Sequence, residues 1–319
     1  MPDGTLCSGK ALRYPGKIGK GAVVSTWNLQ RLQRCGDRCR QGWTICSSGH
    51  DGDCGGKHRG YPAYEIGSED GGDCAAFANV QAESGSDLTL VQIWKANASH
   101  AALRTVVRAE SGARVRLIQI LADASEESIN DVGCVTGEKA SFEVIRLYLS
   151  KGNVISGIRT DLAGNGSSFT HKTGYLVQPG KKLDMNVIAN HIGKNTESDI
   201  RAEGTLYDSA EKAFRGTIDL KRGCAGSEGK EEENVLLLGD DVINKTIPLI
   251  LCTEEDVKGS HGASIGELEQ GMLFYFEARG ISREEAEKIV AKARLERLCQ
   301  DTEDAKTAEY MHQIIEEVI

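Results

Sequence analysis

Three short stretches decide how this chain reads: Ala113-Arg-Val115-Arg-Leu117, Ala140-Ser-Phe142-Glu-Val144 and Ser167-Ser-Phe169-Thr-His171. They recur every 27 residues, and each follows a Gly-containing turn. Strands at such a period indicate stacked coils, because one coil cannot bury its own apolar face whereas parallel neighbours build a continuous core. The expected fold is therefore mainly β, a β-helix or similar solenoid. The competing reading is an ordinary β-sandwich with chance spacing.

Working outward, Leu88-Thr-Leu-Val-Gln-Ile-Trp94 and Val115-Arg-Leu-Ile-Gln-Ile-Leu121 carry the short apolar or alternating runs of strands. After His261 the pattern becomes helical. Ser264-x-x-Glu267 and Ser282-x-x-Glu285 both read as capping boxes, the second with Ile281 and Ala286 placed as a hydrophobic staple. A first helix carries Leu268, Met272, Leu273, Tyr275 and Phe276 and ends at Gly280; a second carries Ala286, Ile289, Val290 and Ala293; a third carries Ala308, Met311, Ile315 and Val318. Residues 254–319 hold 16 acidic against 8 basic side chains, which suits either a docking surface or a solvated face.

Composition narrows the function classes. The chain has 319 residues with 37 glycines and only 5 prolines, which favours many short strands and tight turns over a helical bundle. A net charge of -9 argues against binding a nucleic-acid backbone. No apolar run is long enough to cross a bilayer, and Met1-Pro-Asp-Gly-Thr5 lacks the order of a secretory signal, so a cytoplasmic protein is expected. Ten cysteines in a reducing compartment read as free thiols, metal ligands or redox groups.

Six of those cysteines fall within the first 74 residues, in an irregular Cys/Gly-rich segment taken as residues 1–84. Cys35, Cys39, Cys46, His50, Cys54 and His58 are zinc-type ligands, but no pair has the C-x2-C spacing of structural zinc sites. A metal-binding regulatory protein is one alternative, and incidental cysteines in a flexible segment is a plainer one. Gly4-Thr-Leu-Cys-Ser-Gly-Lys10 superficially resembles a phosphate-binding loop. Ala11 stands where a Ser or Thr should reach magnesium, so no bound nucleotide is expected. There is no G-x-S-x-G elbow and no H-E-x-x-H helix. A polysaccharide-active β-helix stays open, because its carboxylates would come from different coils.

The most specific stretch runs from Val235-Leu-Leu-Leu-Gly-Asp240 through Ile247-Pro-Leu-Ile-Leu-Cys252 and Gly259-Ser-His261-Gly-Ala-Ser-Ile-Gly266 to Leu273-Phe-Tyr-Phe-Glu-Ala-Arg-Gly-Ile-Ser282. It resembles the C-terminal signature of the SufB/SufD family of iron–sulfur cluster assembly proteins, in which a Ser-His-Gly-Ala-Thr/Ser-x-Gly turn leads to a Phe-Tyr-x-x-x-Arg-Gly helix end. Thr160-Asp-Leu-Ala-Gly-Asn165, Leu183-Asp-Met-Asn186, Phe214-Arg-Gly-Thr-Ile-Asp219 and Thr26-Trp-Asn28 extend the resemblance.

The resemblance implies a right-handed parallel β-helix core over residues 85–262 and a C-terminal helical domain over 263–319 that docks a SufC-type ATPase. It implies a non-catalytic scaffold pairing with a SufB-like subunit, or with a second copy of itself. An iron–sulfur cluster or iron would be held transiently at the SufB–SufD interface. His261 matches the family histidine implicated there, as a metal or cluster-assembly residue; its plainer reading is a hydrogen-bonded His in a turn. Cys252 is the secondary candidate, although the end of an apolar run suits a buried structural cysteine. Phe274, Tyr275, Arg279 and Gly280 are the implied partner-binding residues. The cysteine that SufB uses aligns near Glu233, and Gly259 stands where some SufD proteins have a cysteine; the first departure favours a SufD-like subunit.

Overall fold

The structure is a computed structural model that describes residues 73–319, Cys74 by its backbone alone, and before them only the backbone of four short segments. Those segments are β1 (Ala22–Ser25), β2 (Arg40–Ser47), β3 (Arg59–Gly60) and β4 (Ala63–Gly71). There follow β5 (Cys74–Ala82), β6 (Asp87–Ala98), β7 (His100–Ala109), β8 (Arg114–Leu121), β9 (Glu127–Thr136), β10 (Ser141–Tyr148) and β11 (Asn153–Leu162). Then come β12 (Ser168–Val177), β13 (Lys182–His191), β14 (Glu197–Tyr207), β15 (Glu211–Leu220), β16 (Ser227–Leu238), β17 (Ile243–Cys252) and β18 (Val257–Gly266). Three helices close the chain: α1 (Gln270–Glu277), α2 (Arg283–Cys299) and α3 (Ala305–Val318).

From β5 onward the chain alternates between two sheets. One is ordered β1-β2-β5-β7-β9-β11-β13-β15-β17, and the other runs from β18 through the even-numbered strands down to β6 and β3. Apart from the antiparallel β1–β2 pair, every ladder is parallel. The result is a parallel β-solenoid of about seven turns. Strands such as β9, β11 and β15 bury every second residue, so a continuous core fills the space between the sheets, with Leu117, Phe142, Phe169, Val187 and Phe214 among its members.

The 27-residue repeat is the ladder itself: Val115, Phe142 and Phe169 are register partners across β8, β10 and β12. Beyond Phe169 the same row continues to Ser198, Gly229 and Gly259, at longer and unequal spacings. The turns absorb the extra residues while the strands keep register. At one corner a left-handed residue recurs in successive coils, Gly85, Gly112, Lys139, Gly166, Asn195 and Gly226. Each donates its N–H to a carbonyl of the next turn, as Gly112 does to Glu138 and Lys139 to Asn165. Alongside, Gly164 lies so close to the preceding coil that a Cβ would come within 2.0 Å of the Gly137 carbonyl carbon.

The helices cover the outer face of the even-numbered sheet. Ala291, Leu295, Leu298, Met311, Ile314 and Ile315 of α2 and α3 pack on Ile93, Ile118, Ile120, Ile145 and Leu147. These strands are therefore buried on both faces, which explains their near-continuous apolar runs. Gly174 on β12 lets Leu298 and Leu295 approach: a Cβ there would stand 3.1 and 3.3 Å from them. The capping box at Ser282 forms as expected, its side chain accepting from the Glu285 N–H and Glu285 bonding back. The box expected at Ser264 does not form. Ser264 is paired with Asn234 inside β18, and α1 starts later, after Glu269; the ladder claims the backbone that the helix start would have used. No described helix is long and apolar enough to cross a membrane.

Candidate functional site

The solenoid ends on an uncovered coil. Among the described residues β17 pairs only with β15 and β18 only with β16, so each presents a backbone edge that no described strand fills. Around the exposed Lys245, the outward side chains of β17 are apolar: Ile243, Ile247, Leu249 and Leu251 are 40–49% exposed, and Ile265 on β18 is 46% exposed. An apolar open edge of this kind is a template for pairing with another chain.

His261 lies in the middle of β18 rather than in a turn, as register partner of Glu231 on β16. Parallel partners share a face, so His261 stands on the inward side of the last coil, over the buried Glu231, and is itself exposed. Burial, and then the neighbouring Glu233, push the Glu231 carboxyl up to about 7. One Glu231 oxygen has no hydrogen-bond partner. Its carboxylate fits because the facing residue is Gly216, where a Cβ would come within 2.2 Å of it.

Cys252 is exposed, contrary to the buried reading, because no described coil lies beyond β17; its thiol donates to the Glu254 carbonyl at 3.1 Å. The structure does not bring Cys252 and His261 together. Gly259 faces Ile250 across the coil, a Cβ there lying 3.0 Å from Ile250 Cγ2. Cys252 is two residues beyond that contact towards the turn, and His261 is two residues beyond it the other way. Among the described residues no group of three or more His, Cys, Asp and Glu side chains is arranged to hold a metal ion. The side chains of Cys35, Cys39, Cys46, His50, Cys54 and His58 lie outside the described residues.

Behind the open end sits a charged network that sequence reading missed. Glu233, nearly inaccessible, pairs with the fully buried Lys212. It also accepts from the Tyr175 hydroxyl at 3.0 Å and the Thr246 hydroxyl at 2.5 Å. Burial lowers the Lys212 pKa against the pull of Glu233, and burial with Glu233 raises that of Tyr175. The available signal was alternation: Gly229, Glu231, Glu233 and Val235 are in phase on one strand, as are Lys212, Phe214, Gly216 and Ile218 on another.

The helical part presents a second exposed surface. Phe274 is 72% and Tyr275 54% exposed. The Arg279 guanidinium stacks 3.5 Å from the centre of the Tyr275 ring, donates to the Tyr275 carbonyl, and is followed by Gly280 in the left-handed conformation that ends the helix. The groove on the odd-numbered sheet, around Gly157, contains Asp131 and Asp184. Each is engaged by an arginine, Arg104 at 3.3 Å and Arg215 respectively, so this groove lacks the free carboxylate pair that glycoside chemistry requires.

Fold and site together define a class: a parallel β-solenoid with one helix-covered face and an end, uncovered among the described residues, that bears an exposed imidazole. The family model described as "SUF system FeS cluster assembly, SufBD core domain" matches residues 67–294, and the chain belongs to this family of iron–sulfur cluster assembly proteins. It is 30% identical to the iron–sulfur cluster assembly protein SufD of Bacillus subtilis over 162 residues, 51% of this chain and 37% of that protein. It is likewise 30% identical to a SufBD family protein of Synechocystis over 125 residues, 39% of this chain and 26% of that one. A SufBD family protein of Galdieria sulphuraria matches at 30% over 129 residues, 40% of this chain and 58% of its own length. The aligned stretches thus span less than two thirds of each of these relatives, between 26% and 58% of their length.

Proposed function

We propose that this chain is a SufD-like scaffold subunit that works in the cytoplasm, pairing with a SufB-like subunit through its uncapped end and carrying a SufC-type ATPase on residues 263–319. The observation that carries the reading is the pair of free edges on β17 and β18, lined by exposed aliphatic side chains. Lys245 and Pro248 interrupt the β17 edge, but among the described residues no element covers either strand, and the exposed aliphatic side chains along them suit a partner. Phe274, Tyr275, Arg279 and Gly280 form the surface offered to the ATPase, since large aromatics beside arginine are the residues that anchor interfaces.

Iron or a nascent iron–sulfur cluster is cargo in this reading, held transiently where the two scaffold subunits meet. His261 supplies an imidazole ligand to it, and Cys252 is a secondary thiol on the same coil. The chain binds no nucleotide and performs no bond-breaking step of its own; ATP hydrolysis belongs to the partner. Co-expression of the tagged chain with a SufB-like subunit and a SufC-type ATPase should recover all three together. Recovery of the tagged chain alone, or only as a homodimer, would overturn the assignment.

A further inference from the structure

Arg146 points into the space between the sheets and is 1% exposed. Its Nε donates to Gln119 Oε1 at 2.8 Å, and its Nη1 donates to the Tyr148 hydroxyl at 2.8 Å and the Ser156 hydroxyl at 2.7 Å. All three acceptors are neutral, and Nη2 has no partner. A guanidinium keeps its charge in any protein, and a buried charge without a counter-ion is among the costliest features a core can contain.

The buried carboxylates among the described residues do not answer it. Glu233 is taken by Lys212. Glu231 lies on β16, with β14 between it and His171 on β12, roughly 10 Å away at ordinary strand spacing. Asp123 is held by the Ser128 and Ser150 hydroxyls and the Ser125 N–H. It lies four positions along from Gln119, the register partner of Arg146, or about 13 Å.

Two further buried atoms near Arg146 lack partners, His171 Nδ1 and Asn130 Oδ1. His171 is diagonal to Arg146 on the next strand, with Thr173 directly opposite Arg146. Its Nε2 is 2.7 Å from the Thr173 hydroxyl; if Nε2 accepts there, Nδ1 carries the hydrogen and is a free donor. Burial, and then Arg146, hold the imidazole well below its usual pKa, so the ring is neutral. Asn130 shares Gln119 Oε1 with Arg146. The charge of Arg146 and two unused N–H donors, Arg146 Nη2 and His171 Nδ1, thus lie at diagonal positions of adjacent strands inside the core.

We infer that the solenoid interior beside Arg146 binds a small monovalent anion of the halide type, held by Arg146 Nη2 and His171 Nδ1. A single charge and two donors match such an ion. Phosphate or sulfate, with more charge and four oxygens, would need more donors than the layer supplies. Asn130 Oδ1, an acceptor, takes a hydrogen from one water beside the ion. The site is enclosed, so the ion is taken up as the chain folds.

The test is urea unfolding and refolding of the full chain with sodium bromide replacing sodium gluconate at constant ionic strength. Once bromide exceeds its dissociation constant, the unfolding equilibrium constant should fall about tenfold for each tenfold rise in bromide. Arg146→Met should remove that dependence and, in gluconate, be at least as stable as the native chain. Crystals grown in bromide should give an anomalous signal beside Nη2. The same unfolding constant for the native chain in both salts, an equal bromide dependence in Arg146→Met, or a water in place of bromine beside Nη2 would each overturn the inference. If the variant does not fold, the native salt series and the bromine signal decide.

Discussion

At the residue scale, His191 shows what burial does to a titratable group. It is inaccessible, with Nδ1 2.8 Å from the Thr196 hydroxyl and Nε2 2.8 Å from the Ser198 hydroxyl. Burial is the largest cause of a pKa lowered from 6.5 to about 4. As pH falls through 6.5 the unfolded chain takes up this proton and the folded chain does not. The stability linked to His191 is thus complete above 6.5 and lost as pH falls towards 4, by up to about 3 kcal/mol. Urea midpoints measured across that range should fall for the native chain and lose this part of their slope in His191→Gln, whatever constant offset the variant adds. His261 is the contrasting case. It is exposed, so His261→Ala should change stability by less than about 0.5 kcal/mol and leave the complex assembled while lowering cluster yield. An unchanged yield would make it an ordinary strand residue. The identity of His261 as a candidate was legible in its flanking motif; its seat over a buried glutamate was not, because that depends on register with a strand 30 residues earlier.

At the scale of elements, the corners carry the tightest constraints. Gly164→Ala would drive a methyl group into the Gly137 backbone, at a cost of about 3 kcal/mol or more. Gly133→Ala, on a strand with nothing near its Cβ, should stay within about 0.5 kcal/mol of the native chain. Thermal or urea unfolding of the two variants checks the contrast, and equal effects would refute the close stacking of those turns. The strands were legible from alternation and the second helix from its Ser282 box. Ser264 misled because a local capping signal is weak beside a parallel ladder that already binds the same backbone.

At the scale of the molecule, the decisive feature is that no described element caps the β17–β18 end of the solenoid. Leu249 and Leu251 are 43% and 48% exposed there. Replacing both with Lys should leave the fold intact yet reduce co-purification with a SufB-like subunit about tenfold or more, since two apolar anchors become solvated charges. Unaltered recovery would place the partner elsewhere.

The sequence by itself determined the coiled β architecture and the family, because strand periodicity and a long C-terminal motif are written in consecutive residues. It also marked the junction between the first two helices, at Gly280 and Ser282. Only the tertiary structure decided which charged residues face inward and which apolar ones stay exposed. Lys212, Glu233 and Arg146 read as surface residues until neighbouring coils enclose them, and Leu249 reads as core until its register with Thr217 puts it on the outward face of β17, which no described element covers. Burial in a solenoid is a property of the coil above and the coil below, and no single strand encodes whether both are there.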